Sequence, residues 1–514
     1  MKMLLAGPGT GKTTKIKTII KNEYANANNI LVLSFTNATV NDLTSSFNDW
    51  PNVKCYTLHS YSLKINHLSD YHILDNKIEK PILEKYAKSL KINFSDLCLL
   101  FRCITFDDMI KKCHAFIKSN PVYGLENIGN LDLLIVDEFQ DFNSNERDLV
   151  YLLSDYAKET IILGDDDQSI YGFKDADPNG IIELYNRADI VKIEHENKCY
   201  RCPDIVVDRS LNLIKKNRNR IDKIWQKTNK SGNVFFKQTL TQAESNRFIC
   251  QEIKKLKASE GSHSILILSP VGFYVDNLKT ALSDEEITFI DFWQEKISIE
   301  EYRKIWWLRA IFTEKKALNL TFLSNDLPQA IKRKFKEKLK TCLYNDFNQK
   351  DFINLVYSFF PPPLNGLLLN QPNFTDFIEQ NNDFNNLLKY LDENDLEHSI
   401  NCLAQNLNPN ITFDPDSVNL MSIHKSKGLQ ADIVFITCLV NGVLPNAIKG
   451  IDTIEAQRRL LFVGMTRAKK TLYILSSVEW QGKFVHKLDK SQFKYDYRKK
   501  LYSGRASFFI DDMM

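Results

Sequence analysis

Short runs of consecutive apolar residues punctuate the first part of the chain, at Met3–Ala6, Ile30–Ser34 (ILVLS), Leu131–Val136 (LDLLIV) and Thr160–Leu163. Each is bounded by Gly, Pro, Asn or Asp, and stretches of helical spacing separate them, including one that runs from the segment GPGTGKTT toward Tyr24. Strands that are apolar on both sides are those of a parallel sheet covered by helices on both faces. The same grammar restarts late in the chain. SILILSP at 264–270, VNLMSIH at 418–424, DIVFITC at 432–438 and TLYILSS at 471–477 predict a second α/β core. Two mainly helical stretches interrupt it, one of about 65 residues from Asn66 to Asn130 and one of about 150 between Pro270 and Val418, and they read as insertions. Within the second, Ser298–Phe312 places Ile299, Tyr302, Ile305, Trp306 and Arg309 at helical spacing, and 331–340 (IKRKFKEKLK) gives a basic amphipathic face. The Pro run at 361–363 and the Asn-rich stretch at 370–386 read as loops or hinges.

Composition narrows the class. At 514 residues, 43% apolar and 25% charged, the chain is globular and long enough for several compact units, which excludes a disordered polymer or one small module. The balance of 67 Lys+Arg against 64 Asp+Glu leaves +3, so any surface for nucleic acid must be local. The apolar opening is too short for an export signal, and no apolar run approaches the ~18 residues of a membrane span. Ten cysteines in so long a chain are expected to be reduced thiols, and the protein to be soluble and cytoplasmic, with no membrane partner.

The chemistry sits where the strands end. Ala6-Gly7-Pro8-Gly9-Thr10-Gly11-Lys12-Thr13-Thr14 fits a phosphate-binding loop between a strand and a helix. Its glycines let backbone N–H groups point at phosphates, Lys12 reaches the terminal phosphates, and the Thr13 hydroxyl suits Mg²⁺. Asp137 and Glu138 follow the buried run LLIV, so two carboxylates emerge beside that loop. Asp137 is expected to hold Mg²⁺ through water, and Glu138 to orient or deprotonate the attacking water. The cofactor set implied is ATP and Mg²⁺.

With these residues in place, the chain resembles the UvrD/Rep-type helicases of superfamily 1. The resemblance rests on FTN at 35–37, TLHS at 57–60, DEFQD at 137–141, GDDDQSIYGFK at 164–174, CYR at 199–201, HKSKGL at 424–429 and RRLLFVGMTRA at 458–468, in the family's order. It implies two RecA-like parallel-sheet motor cores, each interrupted by a mainly helical insertion: a first core at 1–65 and 128–200, its insertion at 66–127, a second core at 201–272 and 412–514, and its insertion at 273–411. By the same resemblance Gln168 senses the terminal phosphate, Arg201 and Arg467 reach it from the second core with Arg467 as the arginine finger, Tyr200 stacks on adenine, and Gly428 and Gln430 line the ribose side. Phe35, Thr36, Asn37, Thr57, His59, Tyr171, Phe173, Lys174 and His424 are the implied DNA contacts, with the aromatic residues forming a floor under single-stranded bases.

The resemblance thus implies a translocase that moves 3′ to 5′ on single-stranded DNA and opens duplex at single-strand/duplex junctions. A second reading is an ATP-responsive DNA-binding sensor or regulatory subunit of a partner nuclease, as in bacterial anti-phage defence, with little unwinding of its own. The sequence does not fix the oligomeric state. The family pattern differs here in four places: the glutamine-bearing segment before the first strand has no room, so relaxed base selectivity is expected, Gln430 replaces Glu, Ala38 replaces Lys and Phe173 replaces Trp. Cys199 and Cys202 form a C-x-x-C, but the Tyr200-Arg201 between them matches the nucleotide motif, so neither zinc nor redox chemistry is expected there. Cys98, Cys103, Cys113 and His114 fall at helical spacing and are expected to be buried rather than metal-bound.

Overall fold

The computed structural model describes residues 1–66, 71–76, 78–91, 93–187, 191–258, 263–293, 413–446 and 451–514, together with Arg303, Ile305, Trp306, Arg309, Leu318, Asn319, Phe322 and Arg333. The expected basic face at 331–340, the Pro run and the Asn-rich stretch lie outside the described residues, apart from Arg333. Of the helix expected at 298–312, only Arg303, Ile305, Trp306 and Arg309 are described, and all four are helical.

In chain order, strands β1 (Lys2–Ala6), β2 (Ile30–Ser34) and β3 (Val53–Thr57) precede a short parallel pair, β4 (His72–Ile73) and β5 (Cys103–Ile104). Strands β6 (Leu131–Val136), β7 (Ala157–Gly164) and β8 (Lys192–Glu196) follow. The first sheet runs β3-β2-β6-β7-β1-β8 and is parallel throughout. Alternate residues of its central strands feed two separate cores. Leu4, Val32, Ile135 and Ile161 pack on one side with Ile16, Ile19 and Leu43, while Met3, Leu33, Leu134 and Ile162 pack on the other with Tyr61, Leu149 and Ile181. Both faces are therefore dry, which is why these strands read as unbroken apolar runs.

The second sheet contains β9 (Asn233–Thr241), β10 (Ile265–Ser269), β11 (Phe289–Asp291), β12 (Val418–Ser422), β13 (Ala431–Ile436), β14 (Ala468–Trp480), β15 (Lys494–Asp496) and β16 (Leu501–Ser503). Its order is β11-β12-β10-β13-β14-β16-β15, with β9 pairing in parallel along β14. The neighbouring strands from β11 to β14 pair in parallel, and the antiparallel pairings are β14–β16 and β16–β15. Leu266, Leu268, Val434 and Leu472 pack with Val206, Val207 and Phe462, while Ile265, Ile267, Phe435 and Tyr473 pack with Ile249, Ile253 and Tyr274. The architecture is α/β with two parallel-sheet cores, consistent with two RecA-like domains.

Contacts divide the chain into two compact units. Met1–Ile65, Ile110–Gln294 and Thr412–Met514 hold both large sheets, and Asn66–Met109 and Glu295–Ile411 form the other. The segment 110–127, expected within the first insertion, belongs to the sheet-bearing unit, where Ile110, Cys113 and Ile117 pack against Tyr61 and Ile65. The second unit draws on both insertions. In it, Glu79 accepts from Trp306 Nε1 at 2.9 Å and lies 2.8 Å from His72 Nε2 and 3.7 Å from Arg309. Burial raises the proton affinity of Glu79, but His72 and Arg309 outweigh it and hold the pKa down at about 2.

Candidate nucleotide and strand site

β1 ends in a loop that only glycine-rich sequence can trace. Gly9 and Gly11 take φ of +73° and +85°, and Gly11 caps the helix Lys12–Glu23. A Cβ on Gly7 would stand 2.7 Å from the indole of Trp225, and one on Gly9 2.6 Å from Cβ of Arg201. The Thr10 hydroxyl donates to Gly7 O at 2.9 Å and ties the loop into a ring. Lys12 Nζ donates to Ala6 O at 3.3 Å and lies 3.5 Å from Glu138 Oε1, so the loop lysine and the expected base share one end of the sheet. Thr13 and Thr14 occupy the first turn of the helix, whose free N–H groups and dipole suit phosphate.

The two carboxylates after β6 differ as their surroundings dictate. Asp137 is 2% exposed, and its Oδ1 is buried with no hydrogen-bond partner. Burial, then the charge of Glu138, pushes its pKa up to about 7. A buried carboxylate oxygen without a donor fits a divalent cation. Glu138 sits at φ +54°, in the left-handed region, which turns its side chain back toward Lys12. Burial raises its pKa, yet Lys12 and Lys427 outweigh that and hold it at about 2, with Gln140 Nε2 donating to Oε2 at 2.5 Å.

At the end of the first core, Tyr200 N donates to Gly9 O at 2.9 Å, so the CYR segment is pinned to the phosphate loop. The Tyr200 ring is 57% exposed, with the Lys198 ammonium 5.4 Å from its centre. Arg201 Nε donates to Gln430 Oε1 at 2.9 Å, and its Nη1 to Thr466 O at 3.3 Å. Arg467 is buried, and its nitrogens donate to Val463 O at 2.7 Å, Leu429 O at 3.3 Å and Thr466 Oγ1 at 3.1 Å. Burial and the neighbouring Arg201 lower its pKa, and Glu138 is close enough to raise it. Gln168 donates from Nε2 to Asp165 Oδ2 at 2.7 Å. The three residues expected to reach the terminal phosphate are thus held by protein acceptors around the loop. Gly428 takes φ +86° with open space beside it, as a backbone approached by a ligand would.

The expected strand contacts fall into two sets. Phe35 and Tyr171 stack with ring centres 5.0 Å apart, Phe173 meets Tyr171 edge-on at 5.8 Å, and His424 of the second core meets Phe173 at 5.5 Å. Lys174 Nζ lies 5.2 Å from the Phe35 ring centre and 5.5 Å from that of Tyr171. Phe173 is 69% exposed, so a large ring faces water. The second set has local partners: Thr36 caps the helix Asn37–Ser46 by accepting from Thr39 N at 3.3 Å, Thr57 accepts from Ser60 N at 3.2 Å, and His59 Nε2 stands 3.6 Å from Glu146. Asn37 is exposed at the start of its helix.

Five residues around the site escaped the sequence reading: Lys427, Gln140, Lys223, Arg220 and Trp225. Lys427, the second lysine of HKSKGL, is 3% exposed at its side chain and reaches the first core, where it pairs with Asp141 Oδ2 and donates to Gln168 O at 2.8 Å. It also lies 3.8 Å from Glu138 Oε2 and 5.4 Å from the Tyr171 ring centre. Gln140 bridges Glu138 and the backbone N–H of Asp165, which it receives at 3.0 Å. Lys223 lies 2.5, 2.5 and 2.8 Å from Asp165, Asp166 and Asp167, and Arg220 2.8 Å from Asp167. Among the described residues these three aspartates are the one grouping with metal-ligand spacing, and the protein's own cations neutralise it. Trp225 closes over Gly7. Lys427 and Gln140 stood inside quoted motifs; nothing local marked Lys223 or Trp225.

Cys98, Cys103 and Cys113 are buried free thiols, and so are Cys199 and Cys202, whose Sγ atoms donate to Pro8 O and Thr466 O, each at 3.4 Å. Among the described residues no helix is long and apolar enough to cross a membrane.

Fold and site together define a two-core α/β protein with a glycine-rich loop after the first strand, where Arg201 of the second core packs beside Gly9. Residues 1–174 match the AAA domain model, and residues 369–479 match the UvrD-like helicase C-terminal domain model. The DNA helicase II of Rickettsia typhi is 24% identical, over 92% of this chain and 89% of the relative. The ATP-dependent DNA helicase Rep of Buchnera aphidicola from Acyrthosiphon pisum is 25% identical, over 92% of each. The ATP-dependent DNA helicase PcrA of Leuconostoc citreum is 24% identical, over 78% of this chain and 61% of the relative. The matched models and relatives make the chain similar to the UvrD/Rep-type superfamily 1 helicases.

Proposed function

We propose that the chain is an ATP-dependent DNA helicase that moves 3′ to 5′ along single-stranded DNA and separates duplex at a junction. One observation carries the reading: Lys12 and Glu138 of the first core stand 3.5 Å apart while Lys427 of the second core lies 3.8 Å from that same glutamate and 5.4 Å from the Tyr171 platform. Phosphate chemistry and an exposed aromatic floor therefore adjoin across the two cores.

In this reading the loop N–H groups and Lys12 hold the phosphates of ATP, and Tyr200 presents its exposed ring to the base. Thr13 and Asp137 hold Mg²⁺, which when bound neutralises charge on the phosphate oxygens. Glu138 accepts the proton of the attacking water. Gln168, Arg201 and Arg467 exchange their protein acceptors for the phosphate as the cores close, and on reopening they return to them. Closure alternates the grip of Phe35, Tyr171, Phe173 and His424 on successive bases, each stack being worth about 1–3 kcal/mol.

The test measures ATP turnover and strand separation on 3′-tailed, 5′-tailed and blunt duplexes at stated salt. DNA-stimulated turnover with separation of the 3′-tailed duplex alone is expected. Preference for the 5′ tail overturns the polarity, and turnover on DNA without strand separation overturns the helicase reading.

A further inference from the structure

Lys427 has surroundings that neither nucleotide binding nor strand stacking requires. It rises from the turn after β12, in the second core, yet its ammonium is enclosed by groups of the first: Asp141, the backbone carbonyl of Gln168 at 2.8 Å, Glu138 at 3.8 Å and the face of Tyr171 at 5.4 Å. Tyr171 in turn stacks on Phe35 and touches Phe173, which leads to the exposed floor. One side chain of the second core thus joins the expected base, the segment bearing the expected phosphate sensor and the expected strand platform.

Such a contact is stiff. An ammonium 3% exposed is tolerable only while its carboxylate partners stay with it, because an uncompensated buried charge is strongly unfavourable. A shift of Tyr171 or of the turn after β12 therefore drags Asp141 and Glu138 or breaks the cage. Glu138 is otherwise held by Lys12 on Oε1 and by Gln140 on Oε2, so among its ion-pair and hydrogen-bond partners Lys427 is the one that belongs to the second core.

We propose that Lys427 is a positioning residue that makes ATP turnover depend on strand occupancy, by carrying displacement of the Tyr171 platform to Glu138. This rests on the reading of the chain as a DNA motor.

The experiment compares the ratio of DNA-stimulated to basal ATP turnover in the unsubstituted protein, Lys427→Met, Lys427→Arg, Asp141→Asn and the Met/Asn double variant. It also measures KM for ATP and single-stranded DNA affinity. Lys427→Met is expected to lower the ratio by about tenfold or more while KM and DNA affinity stay within about threefold, and Lys427→Arg to retain most of the ratio. Asp141→Asn, which approaches the contact from the other core and keeps the side-chain shape, is expected to lower the ratio too, and the double variant to be no worse than the poorer single. An unchanged ratio in Lys427→Met, additive losses in the double, or a fall that only mirrors lost DNA affinity overturns the proposal. Should Lys427→Met not fold, Asp141→Asn and Lys427→Arg decide it: a normal ratio in the first or a collapsed ratio in the second overturns it. Absence of any DNA stimulation in the unsubstituted protein removes the motor reading itself, whereas stimulation that persists in Lys427→Met removes only the role of Lys427.

Discussion

Lys12, Arg467 and Phe173 occupy three different physical situations, and each makes a separate prediction. Lys12 is the cation nearest Glu138 at the phosphate loop, so Lys12→Ala is expected to abolish measurable ATP turnover in a phosphate-release assay. Arg467 donates only to second-core acceptors, so its removal leaves the loop intact. Arg467→Ala is expected to lower DNA-stimulated kcat by about 10³–10⁵-fold while nucleotide affinity stays within a few-fold, and normal hydrolysis would show that the finger is elsewhere. Phe173 is mostly in water and contributes little to the core, so Phe173→Ala should leave stability within ~0.5 kcal/mol. The loss of one base stack, about 1–3 kcal/mol, predicts a 5- to 150-fold (roughly) weaker grip on single-stranded DNA with basal ATP turnover retained. Unaltered strand binding and displacement would remove Phe173 from the platform.

At the scale of elements, legibility followed burial. β1, β2, β6, β10, β12 and β13 were readable because both their faces are dry, and their limits shifted by only a residue or two: Lys2 joins β1, and His424 leaves β12 for a short turn. β8, KIEHE, lies at the edge of the first sheet, and β9, NVFFKQTLT, runs beside β14 with several side chains exposed, so neither carries the apolar run that announces a buried strand. Motif residues were legible for a different reason, since the phosphate loop and the acidic pair are local in sequence. The cage of Lys223 was not, because Asp165 and Asp166 lie 58 and 57 residues upstream, with Asp167 next to them, and only the fold joins them. That cage fixes the turn carrying Gln168, whose amide rests on Asp165. Lys223→Met leaves three buried carboxylates with one cation, Arg220, and is expected to destabilise the sheet-bearing unit by ~3–5 kcal/mol in chemical denaturation. A change under ~1 kcal/mol would mean that water, not Lys223, satisfies the aspartates.

For the whole molecule, the question is whether the two sheets respond to nucleotide as one body. Tyr200 N on Gly9 O, Trp225 over Gly7 and Lys427 on Asp141 already tie the second core and its approach to the first, so a ligand in the loop meets groups from both. A ligand that binds only the folded form stabilises it by RT ln(1 + [L]/Kd), about 2.7 kcal/mol at a hundredfold excess over Kd. If both cores grip the same triphosphate, a non-hydrolysable ATP analogue with Mg²⁺ should raise the melting of both sheets together. Amide hydrogen exchange resolves this, with added protection expected in β1 and β6 of one sheet and in the turn after β12 of the other. Lys12→Ala should lose the shift in both sheets, and Arg467→Ala should keep most of it, because the finger acts mainly on turnover rather than on affinity. Protection confined to the first sheet in the unsubstituted protein would leave the second core a bystander to nucleotide, and no cycle of closure could then drive movement along a strand.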